Sequence, residues 1–245
     1  FREQVIVGPM QIFKKPSSMD FTTASCFTLT YGTSHYALKD RAQLKEGETL
    51  LVLGAAGGVG ISAIEIGKAL GAKVVAAASS DEKLEICKEY GADEVINYGS
   101  YDLTDKDQVK QFRNEISKTT DGKGPDVIYD PVGGNFTEPA LRSIAWGGRF
   151  LVIGFASGPI PKIPLNLYLI KGCSAVGVFW GQFTMLEPQN HLANMEQLTK
   201  WHEEGKLKAP VTEVLPLEQA KEALEMILER KAKGKIALTT SFYKN

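Results

Sequence analysis

Short apolar runs alternate with segments of helical spacing along most of the chain. From Leu50 onward this alternation recurs, which is typical of βαβ units around a parallel sheet. The runs are apolar along their length, as expected for strands that are covered on both faces. The predicted strands are residues 49–53, 73–78, 94–97, 126–129, 149–153, 174–179 and 235–239.

The segments between the strands predict helices. Two of them stop at Gly71 and Gly91, and glycine is the residue best able to adopt a left-handed C-cap. The prolines at 159, 161 and 164 exclude helix and central strand and predict an irregular loop. Residues 1–7 are predicted to be a strand already under way rather than a signal peptide. The predicted helices are residues 58–70, 81–89, 109–118, 136–144, 190–204 and 217–230.

A glycine-rich turn joins the first of these strands to the first of these helices. Gly57 and Gly60 occupy the second and third glycine positions of G-x-G-x-x-G, while Ala55 replaces the first. Amides at the start of the helix would point at a pyrophosphate from the positive end of the helix dipole. The alternative is a turn that only permits tight packing. A P-loop is disfavoured because no Lys-Ser or Lys-Thr follows at the Walker spacing. The predicted cofactor-binding residues of this turn are Ala56, Gly57, Gly58 and Val59.

The end of the next strand predicts which dinucleotide is bound. About 20 residues past the turn, an NAD site or a methyltransferase would place an Asp or Glu that holds ribose hydroxyls. The chain has Ser79 and Ser80 there, with Lys83 one helical turn further on. Hydroxyls and a cation suit a 2′-phosphate, so the pattern favours NADPH over NADH. The alternative is a plain helix start, with Ser79 and Glu82 as a capping box and Asp81 in the first turn.

Length, charge and cysteine content set further limits. The 245 residues allow one large domain, or one domain with a partial companion. The net charge of −1 gives no long-range attraction to nucleic acid or to an anionic membrane. The longest uncharged stretch, residues 21–38, holds too many Ser and Thr for a spanning helix, so a soluble protein is expected. Cys26, Cys87 and Cys173 form no Cys-x-x-Cys pair and are expected to be three buried thiols in a reducing compartment.

Several catalytic patterns are missing from the sequence. The Tyr-x-x-x-Lys dyad of short-chain dehydrogenases does not occur. His35, His191 and His202 lack the neighbours of a His-Glu-x-x-His motif, and no Cys/His cluster suggests catalytic zinc. A lone histidine is more often a surface residue or a satisfied core residue. Ser157 does not lie in the Gly-x-Ser-x-Gly elbow of a hydrolase.

An ordered series of segments carries a resemblance to a known family. It includes Tyr-Gly-Thr-Ser-His-Tyr-Ala-Leu at residues 31–38 and Gly-Ala-Asp-Glu-Val-Ile-Asn-Tyr at residues 91–98, on either side of the glycine turn. The other segments are residues 44–48, 130–134, 147–149 and 234–236. On this series the chain resembles the medium-chain dehydrogenase/reductase superfamily, in its zinc-independent quinone oxidoreductase and zeta-crystallin-like branch.

The resemblance implies an NADPH-dependent reductase that transfers a hydride to a quinone or an enone-type carbonyl compound. It implies that Thr33 lies beside the nicotinamide. The family's contacts to the adenosine 2′-phosphate fall on Lys83, Tyr98 and Arg230. For the apolar positions of the site, plain core packing is the alternative. The remaining implied cofactor contacts are Val132, Gly154, Phe155, Phe179 and Trp180.

The resemblance also implies a fold and a division of the chain. The fold is a Rossmann α/β doubly wound parallel sheet, with remnants of a GroES-like β domain at both termini. Residues 1–20 and 206–245 would belong to that β domain, and residues 21–205 would form the NADPH-binding domain. The C-terminal return would lack partner strands and expose apolar surface. Aligning Thr33 places Leu29 at the zinc-ligand position of the zinc-dependent branch, so no metal is expected.

Partners and location follow from the same resemblance. The expected partners are a small-molecule substrate and a second copy, which would form a homodimer through the edge strand at residues 174–179. Neither nucleic acid nor a membrane is expected. The cytoplasm is the default location, although organelle targeting could be encoded upstream of Phe1. The alternatives are a non-catalytic, crystallin-like NADPH-binding protein or inactive fragment, and a methyltransferase, which the missing acidic residue disfavours.

Overall fold

Parallel strands form a central sheet: β1 (Thr49–Leu53), β2 (Lys73–Ala78), β3 (Glu94–Asn97), β4 (Val127–Asp130), β5 (Arg149–Val152) and β6 (Ser174–Gly177). The computed structural model describes residues 1–8, 12–229 and 231–241, so Arg230 lies outside the described residues. The strands are ordered β3-β2-β1-β4-β5-β6, and every neighbouring pair is parallel. The chain order reverses between β1 and β4, which places a crevice at the carboxyl ends of these strands. The predicted doubly wound Rossmann fold is confirmed.

Helices cover both faces of the sheet. They are α1 (Phe21–His35), α2 (Gly58–Ala69), α3 (Asp81–Glu89), α4 (Lys106–Thr119), α5 (Thr137–Ser143), α6 (Asn166–Lys171), α7 (Trp180–Leu186), α8 (Pro188–Glu203) and α9 (Ala220–Leu228). Tyr36–Arg41 continues α1 as a π-helix, and single 3₁₀ turns lie at Gly134–Phe136 and Leu217–Gln219. Among the described residues, no helix has the length and apolar character needed to cross a membrane.

The core is divided by the sheet, and β1 contributes to both halves. Leu50 and Val52 pack into the layer that contains α1, α2 and α8. Leu51 packs into the opposite layer, which contains α4 and α5. Because successive side chains of a strand point to opposite faces, a strand buried on both faces must be apolar throughout. This is why β1 and β2 begin and end where the sequence pattern predicts.

The structure corrects several predicted elements. Residues 1–8 form no regular structure, so the predicted strand at residues 1–7 is wrong. The predicted strand at residues 174–179 ends at Gly177, and α7 begins at Trp180. Helices α1, α6 and α7 and the strand at Val211–Pro216 were not predicted by the pattern. Helix α4 begins before residue 109 because the Asp105 carboxylate caps it.

The three cysteines are free, but only Cys87 is buried. Cys26 and Cys173 are half-buried, so the expectation of three buried thiols is wrong for these two. Cys26 lies on α1, where its sulfur contacts the Ser25 hydroxyl at 3.7 Å. Cys173 directly precedes β6.

A separate two-stranded sheet follows α8. It pairs β7 (Val211–Pro216) with β8 (Lys235–Thr239) in parallel. A backbone bridge joins Gly234 to Gly57, and the Gly234 amide donates to the Ala56 carbonyl over 3.0 Å. Val214 of β7 is half exposed and Leu228 of α9 is 80% exposed. The C-terminal segment is therefore attached to the glycine turn, while part of its apolar surface faces solvent.

Candidate cofactor-binding site

The glycine turn leaves the start of α2 open. Gly57 is the N-cap of α2, and no side chain caps this end. The first backbone hydrogen bond of the helix runs from the Ile61 amide to the Gly57 carbonyl, so the amides before Ile61 have no partner within the helix. A Cβ on Gly57 would meet only the Gly54 carbonyl oxygen, at 3.3 Å. This end of α2 therefore offers backbone donors that have no partner within the helix, beside the Lys235 side chain from β8.

Two further glycines of the turn are required by packing. A Cβ on Gly60 would lie 2.5 Å from the carbonyl oxygens of Gly54 and Ala55, so the residue lets α2 lie against the end of β1. A Cβ on Gly58 would lie 2.5 Å from Cδ of Lys235, whose side chain crosses the start of α2 from β8. Predicted residues Ala56, Gly57, Gly58 and Val59 are thus brought together at one helix end.

The residues after β2 form the second part of the site. Ser79 is exposed, and Nζ of Lys83 donates to its hydroxyl over 3.3 Å. Ser80 is the N-cap of α3, and its hydroxyl accepts from the Lys83 amide over 3.4 Å. The predicted capping box between Ser79 and Glu82 is therefore wrong, because the cap is one residue later. Ser79 and the Lys83 ammonium are left at the surface.

Both carboxylates in the first turn of α3 are already bonded. The Asp81 carboxylate accepts from the side-chain amide (Nδ2) of Asn97 over 2.7 Å. Glu82 forms an ion pair with Lys233, and the hydrogen bond to this ammonium lowers the pKa of Glu82. Lys233 was not predicted to be part of this site. It lies three residues after the predicted contact Arg230. The end of β2 therefore carries the Ser79 hydroxyl and the Lys83 ammonium beside Glu82, which is paired with Lys233, and Asp81, which keeps its charge.

The loop after β3 lies over the same position. The Tyr98 amide donates to the Ala78 carbonyl over 2.9 Å, and the Tyr98 and Phe136 rings lie 4.6 Å apart between centroids. A Cβ on the next residue, Gly99, would overlap the Ser79 carbonyl. Tyr98 is thus brought beside Ser79, while Arg230 lies outside the described residues.

The ends of β4 and β5 form the third part of the site. The buried Asp130 carboxylate accepts from the amides of Val132 and Gly133, at 2.8 and 2.9 Å. The Thr137 hydroxyl also donates to it, over 2.7 Å. Burial raises the pKa of Asp130, and these hydrogen bonds oppose that rise. Asp130 therefore fixes the loop that carries Val132, a positioning role that the sequence analysis did not assign.

Gly154 and Phe155 extend the same edge. The Gly154 amide donates to the Asp130 carbonyl over 3.3 Å. A Cβ on Gly133 would lie 2.9 Å from the Phe155 ring, and 39% of Phe155 is exposed. These residues therefore lie beside Val132 at the carboxyl ends of adjacent strands.

Helix α1 and the start of α7 meet at one point. A Cβ on Gly32 would lie 2.8 Å from the Trp180 indole, so the absence of a side chain there seats the ring against α1. Thr33, the next residue, is half-buried. The Trp180 and His191 rings meet edge to face at 5.4 Å. In contrast, 73% of Phe179 is exposed. The structure therefore brings Trp180 next to the Thr33 segment and leaves Phe179 facing solvent.

A model of the zinc-binding dehydrogenase family matches residues 58–200 of the chain. The chain belongs to this family. Within it, the chain is 38% identical over 240 residues to the quinone oxidoreductase-like protein 2 homolog of Nematostella vectensis, which covers 97% of this chain and 63% of that relative. It is 32% identical to the quinone oxidoreductase of Sus scrofa over 97% of this chain and 68% of that protein.

Solved structures of zinc-binding dehydrogenase relatives have the same fold. The quinone oxidoreductase of Pseudomonas syringae pv. Tomato DC3000 is 31% identical, with a TM-score of 0.82 over 94% of this chain and 68% of that one. A mycobacterial structure complexed with NADPH is 28% identical, with a TM-score of 0.84 over 92% of this chain and 66% of that one. The chain thus spans about two thirds of the relatives it matches. It is a quinone oxidoreductase-like member of the medium-chain dehydrogenase/reductase superfamily.

The described residues contain no donor set that would hold zinc. Among the described residues, no group of three or more His, Cys, Asp or Glu side chains could hold a metal ion. Leu29, at the ligand position expected from the alignment on Thr33, is apolar and 60% exposed. Cys26 lies nearby on α1 without such partners in the described part of the chain. A dinucleotide, by contrast, fits the open end of α2.

Proposed function

We propose that this chain forms the NADPH-binding part of an oxidoreductase. The observation that carries the proposal is the Lys83 ammonium, which lies against the Ser79 hydroxyl at the end of β2. Glu82 of α3 is paired with Lys233, and one oxygen of Asp81 accepts from the Asn97 side chain, so these bonds compete with binding of ribose hydroxyls by the two carboxylates. A 2′-phosphate is favoured by such donors, whereas NADH needs a free carboxylate. The relative complexed with NADPH supports this choice.

The rest of the dinucleotide would follow the carboxyl ends of the strands. The amides of Gly58 and Val59 would bind the diphosphate, because they lie at the positive end of α2. Gly57 leaves the space through which the diphosphate approaches. Asp130 would hold the Val132 loop against the nicotinamide end through its two backbone hydrogen bonds.

We further propose that the substrate is a quinone or an α,β-unsaturated carbonyl compound. NADPH, when bound, supplies the hydride. Thr33, Val132 and Trp180 would orient the nicotinamide and exclude water, which is how a site converts binding into alignment of reacting atoms. The donor set of the described residues supports a reaction that proceeds without zinc. The quinone oxidoreductases among the relatives support the substrate class.

NADPH oxidation with a para-quinone and with a conjugated enone tests this function. We expect loss of nicotinamide absorbance with at least one acceptor, at a rate that a zinc chelator does not change. Inhibition by the chelator that added zinc reverses would contradict the zinc-free reaction. Tight NADPH binding without oxidation by either acceptor would instead favour a non-catalytic, NADPH-binding protein.

We also propose that the protein is a homodimer of the cytoplasm. Strand β6 lies at the edge of the central sheet, where a second copy would pair with its outer backbone groups other than the Gly177 carbonyl, which accepts from Arg41. The neighbouring Leu169, Ile170 and Phe179 are exposed apolar residues. The three free thiols support a reducing compartment.

A further inference from the structure

A cleft rich in cations lies at the end of the sheet opposite the glycine turn. It has a volume of about 320 Å³. Its walls come from α4, from the turn before β4, from the end of α5 and from Lys171 at the end of α6. These turns lead into the amino ends of β4, β5 and β6, whereas the proposed cofactor site lies at the carboxyl ends. We name this cleft the basic cleft; it is separate from the dinucleotide site.

The basic cleft is positively charged, although the whole chain has a net charge of −1. Its lining includes no carboxylate. One cation, Arg142, is neutralised, because its guanidinium donates twice to Glu138, at 2.7 and 2.8 Å. The other cations form no ion pair with any described residue. The cationic lining residues are Lys110, Arg113, Lys123, Arg142 and Lys171.

Helix dipoles account for only part of this charge. Lys171 ends α6, where a cation complements the partial negative charge of the carbonyls. Lys110 and Arg113 lie in the second turn of α4, away from its carboxyl end. A purely structural role for the cations therefore does not explain their position.

Arg113 adds a second, independent observation. Its Nε is buried and has no hydrogen-bond partner among the described residues. A buried donor without a partner costs about 1–3 kcal/mol, and native structures contain few of them. The guanidinium is a planar group whose geometry matches phosphate oxygens. Asn114 and Ser117, on the same side of α4, add an amide and a hydroxyl to the lining.

We propose that the basic cleft is a second binding site, which takes an oligophosphate. Four cations without a carboxylate partner would leave charge uncompensated around a monoanion, whereas an oligophosphate carries several charges within a small volume. Arg and Lys are the side chains that bind phosphate most readily. The volume of the cleft is at the lower end of small-ligand sites, which span about 300–1,000 Å³. The ligand is either inorganic or the phosphate chain of a nucleotide.

Calorimetric titration with tripolyphosphate and, separately, with ATP tests this site. The variants are Arg113→Gln and Lys171→Gln. Lys118→Gln is the matched control, because Lys118 is on the same helix, pairs with Glu115 at 2.6 Å and does not line the cleft. Circular dichroism and thermal unfolding check that each variant is folded. Loss of one charged hydrogen bond corresponds to about tenfold weaker binding.

We expect tripolyphosphate to bind the wild type and to bind Arg113→Gln at least about tenfold more weakly, with a smaller loss in Lys171→Gln and none in Lys118→Gln. Tighter binding of ATP than of tripolyphosphate would identify the ligand as a nucleotide. Equal binding of the two would identify it as an inorganic phosphate chain. The proposal is overturned if Arg113→Gln and Lys171→Gln both bind like the wild type, or if Lys118→Gln loses as much affinity. Binding of an acidic polypeptide but not of tripolyphosphate would also overturn it.

Discussion

Lys233 joins the C-terminal segment to the start of α3, which follows the end of β2. Its ammonium pairs with Glu82, which is adjacent in sequence to Lys83. Phosphate oxygens compete well for such an ammonium, because charge-assisted hydrogen bonds to phosphate are strong. A 2′-phosphate at Ser79 would therefore draw Lys233 away from Glu82. No sequence pattern indicates this pair, because its two residues are far apart along the chain.

Replacing Lys233 by glutamine should change the affinity for NADPH and the affinity for NADH differently. We expect Lys233→Gln to weaken NADPH binding by about tenfold and to leave NADH binding nearly unchanged. Glu82→Gln should strengthen NADPH binding, because it removes a negative charge and frees the ammonium. Lys231→Gln is the matched control, since Lys231 pairs with Glu229 instead. Equal loss of NADH and NADPH affinity in Lys233→Gln would show that Lys233 only fastens the C-terminal segment.

His35 is a titratable residue inside the core. It is fully buried on α1 and meets the Trp201 ring edge to face at 5.5 Å. Neither ring nitrogen has a hydrogen-bond partner among the described residues. Burial, helped by the nearby charge of Lys39, lowers the pKa of His35 to about 3. The folded protein therefore holds this imidazole in its neutral form.

The stability of the protein should depend on pH through His35. Between the ordinary pKa of 6.5 and the folded value of about 3, the unfolded chain binds the proton and the folded chain does not. The free energy of unfolding contributed by this group is thus lost as the pH falls, by about 1 kcal/mol per pH unit. We expect urea unfolding to show a smaller pH slope in His35→Gln than in the wild type between pH ~6.5 and ~5. An identical slope in both proteins would contradict a neutral buried His35.

Two glycines in the turn from β1 to α2 have different roles, one in packing and one in binding. Gly60 is required by the contact of α2 with β1, because its Cβ would lie 2.5 Å from two carbonyl oxygens. Gly57 has a φ of −78°, which alanine adopts without backbone strain, and its Cβ would meet a single heavy atom within 4 Å, the Gly54 carbonyl oxygen at 3.3 Å. The two positions of one motif therefore have different physical roles.

Alanine substitutions at these two glycines should give opposite profiles. We expect Gly60→Ala to lower the free energy of unfolding by about 1–3 kcal/mol, as overpacking does. Gly57→Ala should change stability by less than about 1 kcal/mol and still weaken NADPH binding, because the new methyl group obstructs the diphosphate. Urea unfolding and NADPH titration measure both effects. A Gly57→Ala protein that binds NADPH like the wild type would contradict the placement of the diphosphate.

Helix α1 shows where sequence reasoning fails for an element. Its buried residues include Thr30 and Ser34, which the apolar pattern counts as polar. The Thr30 hydroxyl donates to the Cys26 carbonyl, and the Ser34 hydroxyl bonds to Ser62 and Tyr129, each over 2.8 Å. These partners satisfy the hydroxyls in the core, so the helix needs no apolar stripe. The continuous apolar runs of β1 and β2, in contrast, identify those strands directly.

At the scale of the whole molecule, the two edges of the sheet differ. Edge strand β3 begins with the exposed carboxylate of Glu94, which opposes pairing with another sheet. Edge strand β6 carries the exposed, small Ala175 and lies beside apolar surface. The proposed dimer therefore uses β6.

We expect light scattering after size-exclusion chromatography to give the mass of a dimer. Ala175→Lys should produce a monomer, because it places two like charges across the symmetric edge. Glu94→Lys, on the opposite edge, is the matched control and should remain a dimer. A wild-type monomer over the whole accessible concentration range would contradict this interface.

The sequence predicted the sheet and the ligand end of the molecule better than the contacts that complete the site. Parallel strands follow from the βαβ repeat, the doubly wound arrangement follows from the family resemblance, and the glycine turn indicates where a diphosphate would bind. Asp130 and Lys233 were not assigned, because their roles depend on hydrogen bonds and ion pairs that only the folded chain forms. Trp180 was an implied cofactor contact, but its packing on Gly32 was not predicted, because it depends on the close approach of two distant segments.

The end of β2 is expected to select NADPH over NADH. The most direct measurement is the ratio of the NADH and NADPH dissociation constants, by calorimetry, for the wild type and for Lys83→Ala. We predict that the wild type binds NADPH at least about tenfold more tightly than NADH, and that Lys83→Ala loses most of this preference. Equal affinities, or tighter binding of NADH by the wild type, would contradict the account.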